Sequence, residues 1–422
     1  MPLVEQLAPL VPGLRGVIVL TDRAHMPAAS GVRTLLCYEE LLAAEAPPAD
    51  IHAFQWPAID ENAPAGLCFT SGTTGNPKGV QYSQRSQVLH ALAVTQPDVM
   101  GLSSADTMCV IVPIFHANGW STLSATLITG TRLVLPGPRL DGPSIHALME
   151  AEGATVSAAV PTVWMGLLTH LQSTPGAALS SLNRVIIGGA AVPPSLLRAF
   201  EVDYGVRVCH AYGLTECSPM LTLNVAKGGV PRTDAQKQKQ GRAMFTVELR
   251  IVDDAGAELP WDGVATGNLQ SRGPAVLRRY YKNAGGDVLQ AGWFDTGDVA
   301  SIDADGFVCI SDRRKDIIKS GGEWISSQDV EGNAMGFAPL AAAACIGVAD
   351  EKWGERPLLV CVRKPGARCT EAEVLDFLRP RIAKWWLPDR VVFVDAIPMT
   401  ATGKFDKKVM RQQHEAAARS KL

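Results

Sequence analysis

Apolar and polar positions along the chain fall into two textures. Up to about residue 240, short apolar runs alternate with amphipathic stretches of helical length. Residues 4–12 read as a helix, residues 16–20 as a buried strand ending at Thr21-Asp22, and residues 38–45 as a second short helix. The run Gly66-Leu67-Cys68-Phe69-Thr70 reads as a strand entering a glycine-rich turn, and a helix over 83–96 opens at a serine cap. Strands at 110–113, 132–135, 155–160 and 184–187 alternate with helices at 119–129, 143–152 and 163–171. This alternation implies βαβ units and a parallel sheet. Beyond residue 240 the segments shorten, alternate in polarity and are separated by Asp-Gly turns, as in Val247-Glu248-Leu249-Arg250-Ile251-Val252. That pattern predicts an antiparallel barrel or small sheet. A boundary falls near Asp312. After it, short strands at 307–310, 358–363 and 391–394 mix with helices at 371–382 and 405–418. The expected fold is thus α/β. A large domain over 1–311 holds parallel α/β subdomains and a small β-barrel-like subdomain, and a smaller α+β domain follows over 312–422. The polar run at 232–240 reads as a surface loop.

Composition narrows the function classes. With 39 basic and 42 acidic residues the formal net charge is −3, which argues against nucleic acid binding through a bulk basic field. No apolar run is long enough to span a bilayer, so no transmembrane segment is expected. The first residues lack the basic start of a secretory signal. The nine cysteines form no CxxC pair, which favours reduced thiols in a cytoplasmic setting over a zinc site or disulfide framework. The terminal Ser420-Lys421-Leu422 matches a peroxisomal address if the source is eukaryotic, and otherwise reads as a chance tripeptide.

Five segments carry candidate chemistry. In Thr70-Ser71-Gly72-Thr73-Thr74-Gly75-Asn76-Pro77-Lys78-Gly79, glycines allow tight turning and hydroxyls and a lysine suit phosphate, although the spacing is not that of the common P-loop. His210-Ala211-Tyr212-Gly213-Leu214-Thr215-Glu216 follows a strand and sets a carboxylate beside a hydroxyl, a fit for magnesium or phosphate. Taken alone, that glutamate reads equally as a solvated charge. Gly292-Trp293-Phe294-Asp295-Thr296-Gly297-Asp298 offers carboxylates for ribose hydroxyls, or a plain turn between strands. The charged run from Asp312 through Arg313, Lys315 and Lys319 to Gly321-Gly322-Glu323-Trp324 sits where a hinge would lie. Thr400-Ala401-Thr402-Gly403-Lys404 presents a lysine on a tight turn, well placed to meet a negatively charged reaction centre.

Together and in this order, these segments resemble the adenylate-forming (AMP-binding) superfamily, most closely its long- and medium-chain fatty-acyl-CoA synthetases. The likeness covers essentially the whole chain, and TSGTTGNPKG, YGLTE, GWFDTGD, DRRKDIIKSGGEW and TGKFDKK are specific in conjunction. Pro113-Ile114-Phe115-His116-Ala117-Asn118-Gly119-Trp120 also resembles the acyl-pocket segment of the fatty-acyl branch. The resemblance implies an AMP-forming ligase: a carboxylate and ATP give acyl-AMP and pyrophosphate, and coenzyme A then takes the acyl group. It implies a mobile C-terminal domain. By the same resemblance Thr70 and Glu216 hold Mg²⁺, and Ser71, Gly72, Thr73, Thr74, Gly75 and Lys78 cradle the β- and γ-phosphates. Gly189, His210, Ala211 and Tyr212 line the adenine, Thr215 touches the α-phosphate, and Asp298 and Arg313 bind the ribose. Lys315 is the hinge, and Lys319 and Trp324 contact the adenylate or the thioester-stage tunnel. Trp120 gates the acyl tunnel beside His116 and Ala117, and Lys404 bridges carboxylate and α-phosphate. A homodimer is the expectation carried over from the fatty-acyl relatives.

This chain also departs from the family's pattern. Members usually carry roughly 120–150 further residues, several α/β units, ahead of the phosphate loop. Asn268 stands where the family commonly has Glu, and Ala211 where Gly is frequent. Three other readings stay open: a ligase for a short, methylthio- or aryl acid, an inactive nucleotide-binding form, and an acyl-adenylate donor to a carrier protein.

Overall fold

A computed structural model describes the chain apart from residues 29–30, 33, 46–50, 71–76, 227, 229, 401–402 and 420–422, and the side chains of 51 and 415–419. Two compact units are present, Met1–Ile59 and Asp60–Leu422. In the first, β1 (Val17–Val19) pairs in parallel with β2 (Leu35–Cys37), which runs into the helix Tyr38–Ala44. The helix expected over 4–12 is Pro2–Leu7 followed by a tighter turn at Ala8–Leu10. Pro9 lacks the N–H that a continuing helix needs.

The second unit opens with the hairpin β3 (Pro64–Thr70) and β4 (Lys78–Ser83), whose register sets Thr70 opposite Lys78. The helix Gln84–Thr95 follows, started by a reciprocal cap between Ser83 and Ser86. Next come β5 (Thr107–Val110), β6 (Arg132–Val134), β7 (Val156–Ala159), β8 (Arg184–Gly188), β9 (Arg207–Gly213), β10 (Met220–Leu223) and β11 (Arg242–Ala243). They form one seven-stranded sheet in the order β11-β10-β9-β8-β7-β5-β6. The strands from β6 to β9 are parallel, as the alternation predicts, and β10 and β11 are antiparallel additions. Side chains of β8 alternate between two cores. Val185 and Ile187 pack with Trp164, Leu167 and Phe200 on one face, and Ile186 packs with Met108 and Val94 on the other. With both faces apolar, polarity does not mark where a strand begins. That is why the strand expected at 110–113 lies at Thr107–Val110.

An antiparallel sheet follows, built from β12 (Glu248–Val252), β13 (Gly267–Arg272), β14 (Leu289–Gln290), β15 (Trp293–Ile302) and β16 (Val308–Arg313). Its core joins Val80 and Tyr82 of β4 to Leu249, Leu269 and Phe294. A last five-stranded sheet contains β17 (Ile318–Ser320), β18 (Glu323–Ile325), β19 (Leu340–Asp350), β20 (Gly354–Arg363) and β21 (Arg390–Phe393). Its two faces pack separate cores, Cys345 and Leu359 on one side and Ile346 and Leu358 on the other. The helix expected over 371–382 ends at Leu378.

The helix expected over 119–129 is the largest local difference. It begins only at Thr122. Ahead of it, Ala117, Asn118, Gly119, Trp120 and Ser121 take positive φ values of 45°, 54°, 62°, 59° and 59°. Four of these five are not glycine, and a left-handed turn of such residues costs on the order of several kcal/mol. Surrounding contacts therefore have to hold it.

Candidate active site

A cleft of about 940 Å³ opens where the C-terminal ends of β8 and β9, the β3–β4 hairpin, the β15–β16 pair and the loop before the last helix meet. The topology explains the convergence. Parallel strands deliver their carboxyl ends to one edge of a sheet, and backbone groups and side chains there are free to meet a ligand.

All six of the resemblance-based site segments contribute residues here. From the hairpin, Thr70 and Lys78 line the cleft. Ser71, Gly72, Thr73, Thr74 and Gly75 lie outside the described residues. Lys78 Nζ stands 5.0 Å from the ring centre of Tyr280. Gly189, Ala211, Tyr212, Thr215 and Glu216 line the cleft from β8, β9 and the turn after β9. This turn is pinned from below, since the Tyr82 hydroxyl donates to the Thr215 carbonyl at 2.7 Å. The Tyr280 hydroxyl donates to Glu216 Oε1 at 2.7 Å, which fixes the orientation of that carboxylate.

Behind the wall, Asp298 sits across from Arg313 in the β15–β16 register, 3.4 Å from its Nε. The Tyr212 hydroxyl donates to Asp298 Oδ2 at 2.5 Å. Asp298 is 2% exposed, and burial raises its carboxyl above the usual range against the opposing pull of Arg313 and Tyr212. It does not itself line the cleft. It anchors Tyr212 and Arg313, which do.

Lys404 reaches in on a turn closed by the Thr400 N–H donating to the Lys404 carbonyl at 2.8 Å. Its side chain lies over Gly189, where an added Cβ would come within 3.1 Å of Lys404 Cε. Burial, and then the neighbouring Arg313, lower the Lys404 ammonium to about 8. Burial and Lys404 push His116 down to about 4, so its ring is neutral near pH 7. Among the described residues, neither Lys78 nor Lys404 has a carboxylate within ion-pair distance. Two such lysines in one cleft suit a polyanion rather than a structural role.

Just after Lys404, the last helix is tied to the charged run. Lys407 Nζ donates to Ser327 Oγ at 2.5 Å and pairs with Glu331 at 2.8 Å. Ser327 N–H in turn donates to Asp312 at 2.7 Å, and Arg411 donates to Asp316 at 2.7 Å.

At the apolar end, Phe69, Phe115, His116, Trp120, Pro219 and Met220 line the cleft. Trp120 is presented by the left-handed turn and packs against Gly188, where a Cβ would sit 3.2 Å from the indole and 2.9 Å from the Ala211 carbonyl. A Cβ there would collide with the Ala211 carbonyl and crowd the indole. Ala117 is buried behind the wall rather than on it.

Besides Asp298 and Ala117, three further expected site residues do not line the cleft. His210 is buried on β9 and does not line the cleft, and its Nδ1 has no partner among the described residues. Lys319 and Trp324 face each other across the β17–β18 hairpin and are not part of the cleft wall, whereas Lys315 lines its mouth. Tyr280, Tyr82 and Gly188 were not legible as site residues. Their roles are contacts over long sequence distances, which no local motif encodes.

No helix among the described residues is long and apolar enough to cross a membrane. All nine cysteines are free.

Comparison with known proteins gives the same outline. The family model described as AMP-binding enzyme matches residues 16–281, and the AMP-binding enzyme C-terminal domain matches residues 329–404. A 3-methylmercaptopropionyl-CoA ligase of Ruegeria lacuscaerulensis is 46% identical over 420 residues, covering 97% of this chain and 77% of that protein. A medium-chain-fatty-acid–CoA ligase of Ectopseudomonas oleovorans is 42% identical over 98% of this chain and 76% of its own length. The chain thus spans about three quarters of the length of these relatives. Among solved structures, an anthranilate CoA ligase in complex with anthranoyl-AMP superposes with a TM-score of 0.87 at 25% identity, over 99% of this chain and 77% of that one. An o-succinylbenzoate CoA synthetase from Bacillus subtilis, with ATP and magnesium ion, gives 0.76 at 27% identity over 97% and 81%. With its two family domains in order and its motifs gathered at one cleft, the chain belongs to the AMP-binding enzyme family, the adenylate-forming superfamily.

Proposed function

We propose that the protein is an AMP-forming acyl-CoA ligase acting on an aliphatic carboxylic acid. The observation that carries this reading is the meeting, in one cleft, of two lysines with no carboxylate partner among the described residues, an oriented glutamate and an apolar end. In the first step a carboxylate oxygen attacks the α-phosphorus of ATP and pyrophosphate leaves. In the second, the thiol of coenzyme A attacks the acyl carbon and AMP leaves. Negative charge builds on the α-phosphoryl oxygens in the first step, so a fixed cation beside them lowers the barrier. Lys404 takes that position and Lys78 the β- and γ-phosphates. Thr215 contacts the α-phosphate, Tyr212 packs on the adenine, and Arg313 holds the ribose with Asp298 behind it. Thr70 and Glu216 supply the hard oxygen donors that suit Mg²⁺, which neutralises phosphate charge when bound.

The apolar end, walled by Phe69, Phe115, Trp120 and Met220, supports a medium- or long-chain fatty acid. A second reading, a methylthio-substituted short acid, is favoured by the 46% identity to 3-methylmercaptopropionyl-CoA ligase. We assign residues 312–422 as the domain that moves between the two steps, about Lys315. Lys319 and Trp324, which lie off the cleft here, would join the reaction in the second arrangement. The free cysteines support a reducing, cytoplasmic setting. The test is product analysis by mass spectrometry after incubation with ATP, Mg²⁺, coenzyme A and acids from acetate to stearate, with 3-methylmercaptopropionate included. A thioester from a defined subset of acids supports the reading. Nucleotide binding without any thioester favours an inactive nucleotide-binding form.

A further inference from the structure

His90 is fully buried in the helix Gln84–Thr95 and does not line the cleft. Both of its ring nitrogens are engaged. Its Nε2 accepts the Met220 backbone N–H at 3.0 Å. Since a backbone N–H can only donate, Nε2 carries no proton in the neutral ring, and Nδ1 carries it. Nδ1 lies 2.8 Å from Ser121 Oγ and therefore donates to it. The Ser121 hydroxyl, having accepted there, donates onward to the Ser218 carbonyl at 3.2 Å. Every direction in this path is fixed: Met220 N–H to His90, His90 to Ser121, Ser121 to the Ser218 carbonyl. The path leaves and returns to one segment on either side of Pro219, and passes through the left-handed turn that presents Trp120.

We propose that His90 is a positioning residue that sets acid selectivity by locking the Trp120 turn to the Pro219–Met220 wall. Trp120, Pro219 and Met220 all line the apolar end of the cleft. None of them is held in that relation by a shared strand. Asn118 steadies the early part of the turn, donating to Gln87 Oε1 at 3.0 Å and accepting from Cys68 Sγ at 3.4 Å. The late part is closed locally by Thr122 Oγ1 donating to the Gly119 carbonyl at 2.6 Å, and the Ser121 side chain ties it to the Ser218–Met220 segment through His90. The imidazole is suited to the task because a single rigid ring joins two backbone segments that approach from different elements. An aliphatic side chain of the same size would leave the Met220 N–H and the Ser121 hydroxyl without these partners in a dry site. The turn's positive φ values mean that, once released, it has a strong tendency to relax.

This inference rests on the acyl-ligase reading, so one arm of its test does not use activity. Nitrogen-15 NMR of the histidine-labelled full chain, assigned with His90→Gln, reads the tautomer directly. A neutral ring with the proton on Nδ1 is expected, and a proton on Nε2 or a charged ring overturns the path. The second arm compares His90→Asn, which retains an amide at the δ position for Ser121, with His90→Gln, which retains one at the ε position for Met220, and with His90→Leu. The ratio of kcat/KM between a preferred and a poorly used acid should narrow roughly tenfold in His90→Leu, mainly through the KM of the acid, with KM for ATP little changed. The Asn and Gln variants should fall between, and they carry the test if His90→Leu does not fold. An unchanged acid ratio in folded variants would make His90 a structural residue only. Loss of all turnover in the parent chain would overturn the ligase reading while leaving the tautomer result standing.

Discussion

Replacing Lys404 with methionine should stabilise the fold while removing adenylation. The reasoning starts from the ammonium, whose partly buried position beside Arg313 lowers it from 10.5 to about 8. At about 1.4 kcal/mol per pH unit that gap corresponds to about 3 kcal/mol, and the partial exposure of the side chain reduces it to about 1–3 kcal/mol. The sign follows from where the proton sits. Below about pH 8 the folded and unfolded chains both carry it, and the fold bears the whole penalty of holding a charge there. Between about 8 and 10.5 the folded chain releases its proton first, so wild-type stability rises and the penalty fades. Lys404→Met keeps an unbranched side chain over Gly189 and has no charge to desolvate. Urea unfolding at pH 7 should therefore show a gain of about 1–3 kcal/mol for the variant, shrinking towards zero near pH 10.5. Acyl-AMP formation by the same variant should fall by orders of magnitude, while thioester formation from supplied acyl-AMP should persist. A variant less stable than wild type at pH 7, or a difference that does not change with pH, would refute the electrostatic argument. Equal loss of both half-reactions would refute the assigned role.

Other consequences are more local. In a pH-rate profile of acyl-AMP formation, the rate should decline above about pH 8 as Lys404 loses its proton, and the decline should be absent from thioester formation with supplied acyl-AMP. Tyr280→Phe removes the 2.7 Å hydrogen bond that orients Glu216. The magnesium concentration for half-maximal activity, measured by titration, should rise roughly tenfold or more. Lys407→Met leaves Glu331 buried without its 2.8 Å partner. Calorimetry should register a loss of about 3–5 kcal/mol, and Glu331→Gln in the same chain should restore much of it.

The parallel half of the fold was legible because apolar runs and helical stretches alternate at lengths that only βαβ units accommodate. The candidate site was legible as motifs, since Lys78, Glu216, Arg313 and Lys404 each sit in a locally distinctive run of sequence. Other features were not. The strand β19, Leu340-Ala341-Ala342-Ala343-Ala344-Cys345-Ile346, is alanine-rich and buried on both faces, so it shows neither strand nor helix period. The left-handed turn at 117–121 is held by His90 and Asn118 through partners up to 130 residues away in sequence, such as Met220. His90 itself reads as an ordinary core histidine, and only the donor at one nitrogen and the hydroxyl at the other distinguish it. Tyr280 carries no motif of its own, although it fixes the carboxylate of Glu216. Lys319 and Trp324 illustrate the opposite limit. Their motif is distinctive, yet in this arrangement they stand on a hairpin outside the cleft.

The most direct measurement is ATP–pyrophosphate exchange by the purified 422-residue chain with each acid in turn, with Lys404→Met alongside. The expected result is exchange that depends on one class of aliphatic acid and on magnesium, and that disappears in the variant. Absence of exchange with every acid, from a soluble and cooperatively folded chain, would contradict the assignment of this cleft as an adenylation site.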